Sequence, residues 1–330
     1  MSLLPEPTAP PEATGRVDRP DLPPGHTAHL PGRGSLFYRE VAGPPGAPVV
    51  FLLHGLGANA DLNWHSVLAP LGRHFRVIAP DHRGHGRGIR SAEPFRLTDC
   101  AEDVVALADC LGIDQFTAVG YSMGGPIAQL VWHRHRERVD GLVLCATARD
   151  FRGHPRERLL FGGLGVLAGL PHLTAVRAGA HGAEWVASRL FSSRPHTDWA
   201  VAELRRGEVG TILEAAREVG RFTSREWTHE IDVPTAVIIT GRDRLVPAHR
   251  QHKLAETIPG AVKYEIDGNH HVVAGDGDDF RHALVGACLA VSPRPPTVDE
   301  VGTRRRRRSG ARRRRVALLP AAAATPVGTR

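Results

Sequence analysis

Gly120-Tyr121-Ser122-Met123-Gly124-Gly125 sets a serine between glycines. The β-prone run Phe116-Thr117-Ala118-Val119 precedes it, and the helix-like run Pro126-Ile127-Ala128-Gln129-Leu130-Val131-Trp132 follows at once. The order is strand, sharp turn, serine, helix. Glycines leave room for a strained turn that lifts a hydroxyl clear of the backbone. A helix that starts at the serine aims its first N–H groups at the place where an oxyanion would form. The motif is short, so its meaning rests on what surrounds it.

Outward from this turn, Val49-Val50-Phe51-Leu52-Leu53 is a continuous apolar run of β-formers, as in a strand buried on both faces. Residues 76–79, 141–145, 235–240 and 261–266 look alike. Segments of helical length lie between them. Residues 98–111 read as one such helix, with Thr98 as its N-cap, Glu102 and Asp103 in the early turns and Gly112 beyond its end. Strands alternating with helices predict an α/β fold: a mostly parallel twisted sheet with helices on both faces. Residues 36–41 and 43–48 suggest an antiparallel hairpin ahead of the parallel part. The rhythm breaks over residues 149–228, which read as an inserted helical cap. The apolar, glycine-rich run 159–170 lies inside it, too short to span a bilayer. The expected organisation is a Pro-rich disordered leader over 1–34, core over 35–148, cap over 149–228, core again over 229–291, and a disordered Arg-rich tail over 292–330.

A serine hydroxyl is a weak nucleophile until a base takes its proton, and the base needs an acid to orient it. Asp243 follows the strand-like 235–240, and His270 follows the strand-like 261–266. Both therefore sit where an open parallel sheet places its ligands, at the carboxyl ends of strands. His54-Gly55-Leu56-Gly57 follows the strand 49–53. Its Leu56 N–H and the Met123 N–H are the expected oxyanion donors. The adjacent His271 is a rival for the base. The other histidines have no partners at metal-ligand spacing.

These stretches together resemble the α/β-hydrolase superfamily, in its branch of small serine esterases, lactonases and non-haem haloperoxidase-like enzymes. His54-Gly55-Leu56-Gly57, Asp81-His82-Arg83-Gly84-His85-Gly86, the Ser122 turn, Gly241-Arg242-Asp243 and Gly268-Asn269-His270 stand in family order. The resemblance covers about residues 35–290. It implies a Ser122–His270–Asp243 triad without metal or organic cofactor. The family's last histidine follows a Gly-x pair, which selects His270 over His271; some members take the acid from the position after the preceding strand, which makes Asp150 the rival of Asp243. It also implies that Asp81, Arg83 and His85 hold a loop together, and that His54 braces the oxyanion turn. A serine at the turn, rather than an aspartate, argues against the dehalogenase and epoxide-hydrolase branches. The expected substrate is a carboxylic ester, lactone or thioester of a small, largely apolar acyl compound. Acyl transfer to an acceptor other than water, carbon–carbon bond hydrolysis, and a non-catalytic binding protein are the alternatives.

Composition sets the remaining bounds. The chain has 330 residues, 42% of them hydrophobic, and a formal net charge of +7. Ten arginines after Thr303 exceed that charge, so the rest of the chain is mildly acidic. Nucleic acid is therefore not an expected partner of the core, while the tail can contact anionic surfaces. Four cysteines without metal spacing, and an N-terminus lacking a basic start and an apolar core, point to a cytoplasmic protein with reduced thiols.

Overall fold

The apolar runs assemble into one eight-stranded sheet in a computed structural model that describes residues 19–151, 194–275 and 278–293. The strands are β1 Gly25–Leu30, β2 Gly34–Val41, β3 Val49–Leu53, β4 Arg76–Pro80, β5 Phe116–Tyr121, β6 Val139–Cys145, β7 Thr235–Thr240 and β8 Val262–Ile266. Their order is β1-β2-β4-β3-β5-β6-β7-β8. β2 runs antiparallel to β1 and β4, and every other pair is parallel. The described helices are α1 Ala60–Trp64, α2 Leu68–Gly72, α3 Leu97–Cys110, α4 Gly124–Arg134, α5 Arg194–Leu204, α6 Val209–Arg221, α7 Ala248–Thr257 and α8 Asp278–Val291.

Side chains alternate between two cores, one on each face of the sheet. Phe51, Leu53, Phe116, Ala118, Leu142 and Leu144 pack with α3, α4 and α7. Val50, Leu52, Val119, Val143, Cys145 and Ile238 pack with α1, α2 and α8. Burial on both faces explains why these strands read as unbroken apolar runs. Each fully buried Leu, Ile or Phe contributes about 1.5–3 kcal/mol of transfer free energy.

From β3 the chain steps outward to β4, then crosses to the opposite side of β3 to form β5. That reversal opens a crevice at the carboxyl ends of β3 and β5. Register aligns Leu53 with Gly120, so the two glycine turns leave the sheet side by side.

The insertion between β6 and β7 contributes α5 and α6. Trp199 and Ala200 of α5 join the core that holds α1, and Ala215 and Val219 of α6 join the core that holds α3. The apolar run 159–170 and the rest of residues 152–193 lie outside the described residues. All described residues belong to one compact unit, Met1–Pro293, and the Arg-rich tail falls in a second, Arg294–Arg330, outside the described residues.

Three local expectations are corrected. The hairpin is formed by β1 and β2 around Gly32, whose φ is +69°, and not by 36–41 with 43–48. Pro44, Pro45 and Pro48 remove donors from the second of those runs, which instead turns through Ala47 N–H to Pro44 O at 3.0 Å. β1 therefore lies inside the range assigned to the leader. It is an edge strand with mostly exposed side chains, so it carries no apolar alternation. α3 begins at Leu97 with Arg96 in the N-cap position and no side-chain cap, so Thr98 lies inside the helix. Among the described residues, no helix is long and apolar enough to cross a membrane.

Candidate active site

Ser122 sits at φ +51°, in the left-handed region that a side chain adopts only at a cost of about 1–2 kcal/mol. Three hydrogen bonds hold it there. Its N–H donates to Cys145 O at 2.9 Å, and its carbonyl accepts from Gly125 N–H and Thr147 Oγ1–H, both at 2.9 Å. The flanking glycines are sterically required. A Cβ at Gly120 would overlap the Gly124 carbonyl, and one at Gly124 would overlap the Leu53 carbonyl. The turn is thus pressed against the neighbouring strands, and the serine hydroxyl is pushed out at the crevice.

His270 follows β8 and Asp243 follows β7. His270 Nε2 lies 2.9 Å from Ser122 Oγ, and its Nδ1 lies 2.7 Å from Asp243 Oδ2. An ionised carboxylate can only accept, so the proton sits on Nδ1 and Nε2 is left to accept the serine O–H. The Tyr121 hydroxyl donates to the His270 carbonyl at 2.7 Å and so ties the histidine to the end of β5.

Asp243 is buried, with its oxygens divided between two tasks. Oδ1 accepts from the Leu245 and Val246 N–H groups, both at 2.8 Å. Oδ2 accepts from His270, from Thr240 Oγ1–H at 2.9 Å and from Gln251 Nε2–H at 3.3 Å. Burial opposes its charge, but the His270 hydrogen bond and ion pair, the Val246 amide and the Thr240 hydroxyl hold the carboxyl below its usual range. The rival acid Asp150 faces elsewhere, bound by Arg225 at 2.8 and 3.1 Å. The rival base His271 is exposed, and its N–H donates to Asn269 Oδ1 at 2.8 Å.

Met123 is fully buried at the start of α4, and Leu56 is partly buried on the turn after β3. Neither backbone N–H has an acceptor among the described residues. The turn beneath Leu56 is braced from two sides. Gly55 N–H donates to Asn63 Oδ1 at 2.9 Å, and His54 Nε2 accepts from His82 N–H at 2.9 Å. His54 Nδ1–H donates to Gly55 O at 2.8 Å. The expected loop contacts are present as well. Asp81 accepts from the Ala60 and Arg87 N–H groups at 2.8 Å, and Arg83 clasps Asp103 at 2.8 Å through two nitrogens. Asn63, Thr147, Tyr121 and Gln251 are supporting residues that sequence reasoning missed.

His54, His82 and His85 are buried together, with ring centroids 4.3 and 5.4 Å from His54. Burial pushes His54 down to about 4 and His85 to about 3, and lowers His82 well below the usual imidazole value. In the unfolded chain they protonate near pH 6.5. The unfolded state therefore binds more protons below that pH, and stability falls as pH drops from 6.5 towards 4. The slope is about 1.4 kcal/mol per pH unit for each histidine. Urea unfolding midpoints are expected to fall steeply across this window and to be flat from pH 7 to 8. His85→Asn should make the acid slope shallower. A profile flat from pH 7 to 5 would contradict the buried, neutral cluster.

Among the described residues no group of histidine, cysteine or carboxylate side chains is arranged to hold a metal ion. The family model described as alpha/beta hydrolase fold matches residues 48–277. The chain is 30% identical over 256 residues to the magnesium-chelatase 30 kDa subunit of Rhodobacter capsulatus, covering 71% of this chain and 85% of that one. Among solved structures, the enol-lactonase from Burkholderia xenovorans matches with a TM-score of 0.68 at 25% identity, over 80% of this chain and all of the other (100%). A hydrolase from Pseudomonas aeruginosa matches with a TM-score of 0.69 at 23% identity, over 79% and 97%.

Proposed function

The chain belongs to the α/β-hydrolase family, and from that premise we propose that it cleaves a carboxylic ester, lactone or thioester through an acyl-enzyme on Ser122. The observation that carries this reading is the unbroken relay from Ser122 Oγ to His270 at 2.9 Å and on to Asp243 at 2.7 Å. Ser122 Oγ attacks the carbonyl carbon as its proton passes to His270 Nε2. The carbonyl oxygen becomes an oxyanion facing the Leu56 and Met123 N–H groups. Collapse of this adduct breaks the bond to the leaving group, which takes the proton from Nε2–H. A water molecule then attacks the acyl-enzyme, with His270 again as base, and frees the acid and Ser122. Asp243 keeps the Nδ1 proton in place and offsets the positive charge that the imidazole gains.

The acyl group is proposed to be small and largely apolar, as the apolar composition of the insertion suggests. A fluorophosphonate probe, which reacts with activated serines whatever the substrate, is expected to label the protein. On a p-nitrophenyl ester panel, C4–C8 acyl chains should turn over faster than acetyl. Absence of labelling in the folded protein would sink the hydrolase reading, and fastest turnover of acetyl would sink the acyl-chain preference.

A further inference from the structure

Among the described residues, the insertion reaches the oxyanion turn through a buried carboxylate. Glu203 lies on α5 and is only 6% exposed. Its Oε2 accepts from Asn59 Nδ2–H at 2.7 Å, while Oε1 accepts from Arg206 Nε–H at 3.1 Å and Arg87 Nη2 stands 3.8 Å from Oε2. Asn59 is fully buried and closes the turn that begins at His54. Its Oδ1 accepts from Leu62 N–H at 2.9 Å and so caps α1.

An amide has one oxygen and one NH2, pointing in opposite directions. Glu203 can only accept, so it fixes the NH2 end towards α5 and the oxygen end towards α1. α1 in turn carries Asn63, whose Oδ1 holds the Gly55 N–H at 2.9 Å. Ala58 N–H closes the turn on Gly55 O at 3.3 Å. Leu56 thus lies between Gly55, held by Asn63, and Asn59, held by Glu203. Burying a carboxylate is costly unless its lone pairs are satisfied. Here an arginine and the residue that ends the oxyanion turn satisfy them.

We propose that Glu203 is a positioning residue of the oxyanion hole: from α5 it orients the Asn59 amide, and through it the turn bearing the Leu56 N–H. The site is then complete only while α5 is seated on the core. The proposal rests on the serine-hydrolase reading and adds to it a route by which the insertion controls turnover.

The test uses the full chain, p-nitrophenyl butyrate, and a trifluoromethyl ketone whose adduct puts an oxyanion in the hole. Asn59→Asp keeps an oxygen to cap α1, since Asp is as good an N-cap as Asn, but sets a carboxylate against Glu203. Asn59→Asp and Glu203→Ala should each lower kcat about 10- to 100-fold, the size expected of a small misplacement, with KM nearly unchanged. Trifluoromethyl ketone affinity should weaken in parallel. The double variant Asn59→Asp with Glu203→Gln should recover most of the loss, because the new amide at 203 can donate to the new carboxylate at 59. A purely structural pair would lower the thermal midpoint and leave kcat per folded molecule and ketone affinity intact, and that result overturns the proposal. So does a double variant no better than Asn59→Asp alone. A wild type that fluorophosphonate fails to label overturns the hydrolase reading itself and takes the proposal with it.

Discussion

Ser122→Ala is expected to reduce ester turnover by about 10⁴- to 10⁶-fold, with His270→Ala close behind and the double variant no worse than either alone. The non-additivity follows from geometry. The Ser122 hydroxyl is useful only with Nε2 at 2.9 Å to take its proton, and Nε2 is useful only with that hydroxyl to accept from. Residual rate would come from the oxyanion donors and binding. Stability should barely change in Ser122→Ala, because alanine suffers the same strain at φ +51°. Ser122→Gly would relieve that strain and should raise stability by about 1 kcal/mol while remaining inactive. Turnover per folded molecule and urea unfolding on the same samples check both halves. Ser122→Ala retaining a tenth of wild-type turnover would put the nucleophile elsewhere.

The sheet was legible because most of its strands are buried on both faces, and the apolar runs at 49–53, 76–79 and 235–240 are short and rich in β-formers, which favours a strand over a buried helix. β1 was not legible: an edge strand with exposed side chains has neither an apolar run nor alternation to mark it. The Ser122, Asp243 and His270 positions could be named because each follows a strand at its carboxyl end, where sequence position and space coincide. The supporting contacts have no such marker. Asn59 and Glu203 are 144 residues apart, and neither lies at a distinctive spacing. Thr147 reaches the Ser122 carbonyl only because the parallel register of β5 and β6 aligns Tyr121 with Cys145. Such residues look like ordinary polar positions until the fold brings them together.

Asp243→Asn tests the division of labour within the triad without disturbing its shape. The Leu245 and Val246 N–H groups both donate to Oδ1, so an asparagine must turn its oxygen towards them. Its NH2 then occupies the place of Oδ2 and faces His270 Nδ1, with Thr240 Oγ1 turning to accept. Facing a donor, Nδ1 must give up its proton, and the neutral imidazole carries it on Nε2 instead. Nε2 can then no longer accept from Ser122. The base is present, in place, and in the wrong tautomer. Turnover at pH 7 is expected to fall about 10⁴-fold. The thermal midpoint should fall only modestly, since most hydrogen bonds at the site are kept. Asp150→Asn, at a carboxylate that faces Arg225, should leave turnover unchanged. A loss under 10-fold in Asp243→Asn together with a large loss in Asp150→Asn would move the acid to the end of β6 and require a different path for His270.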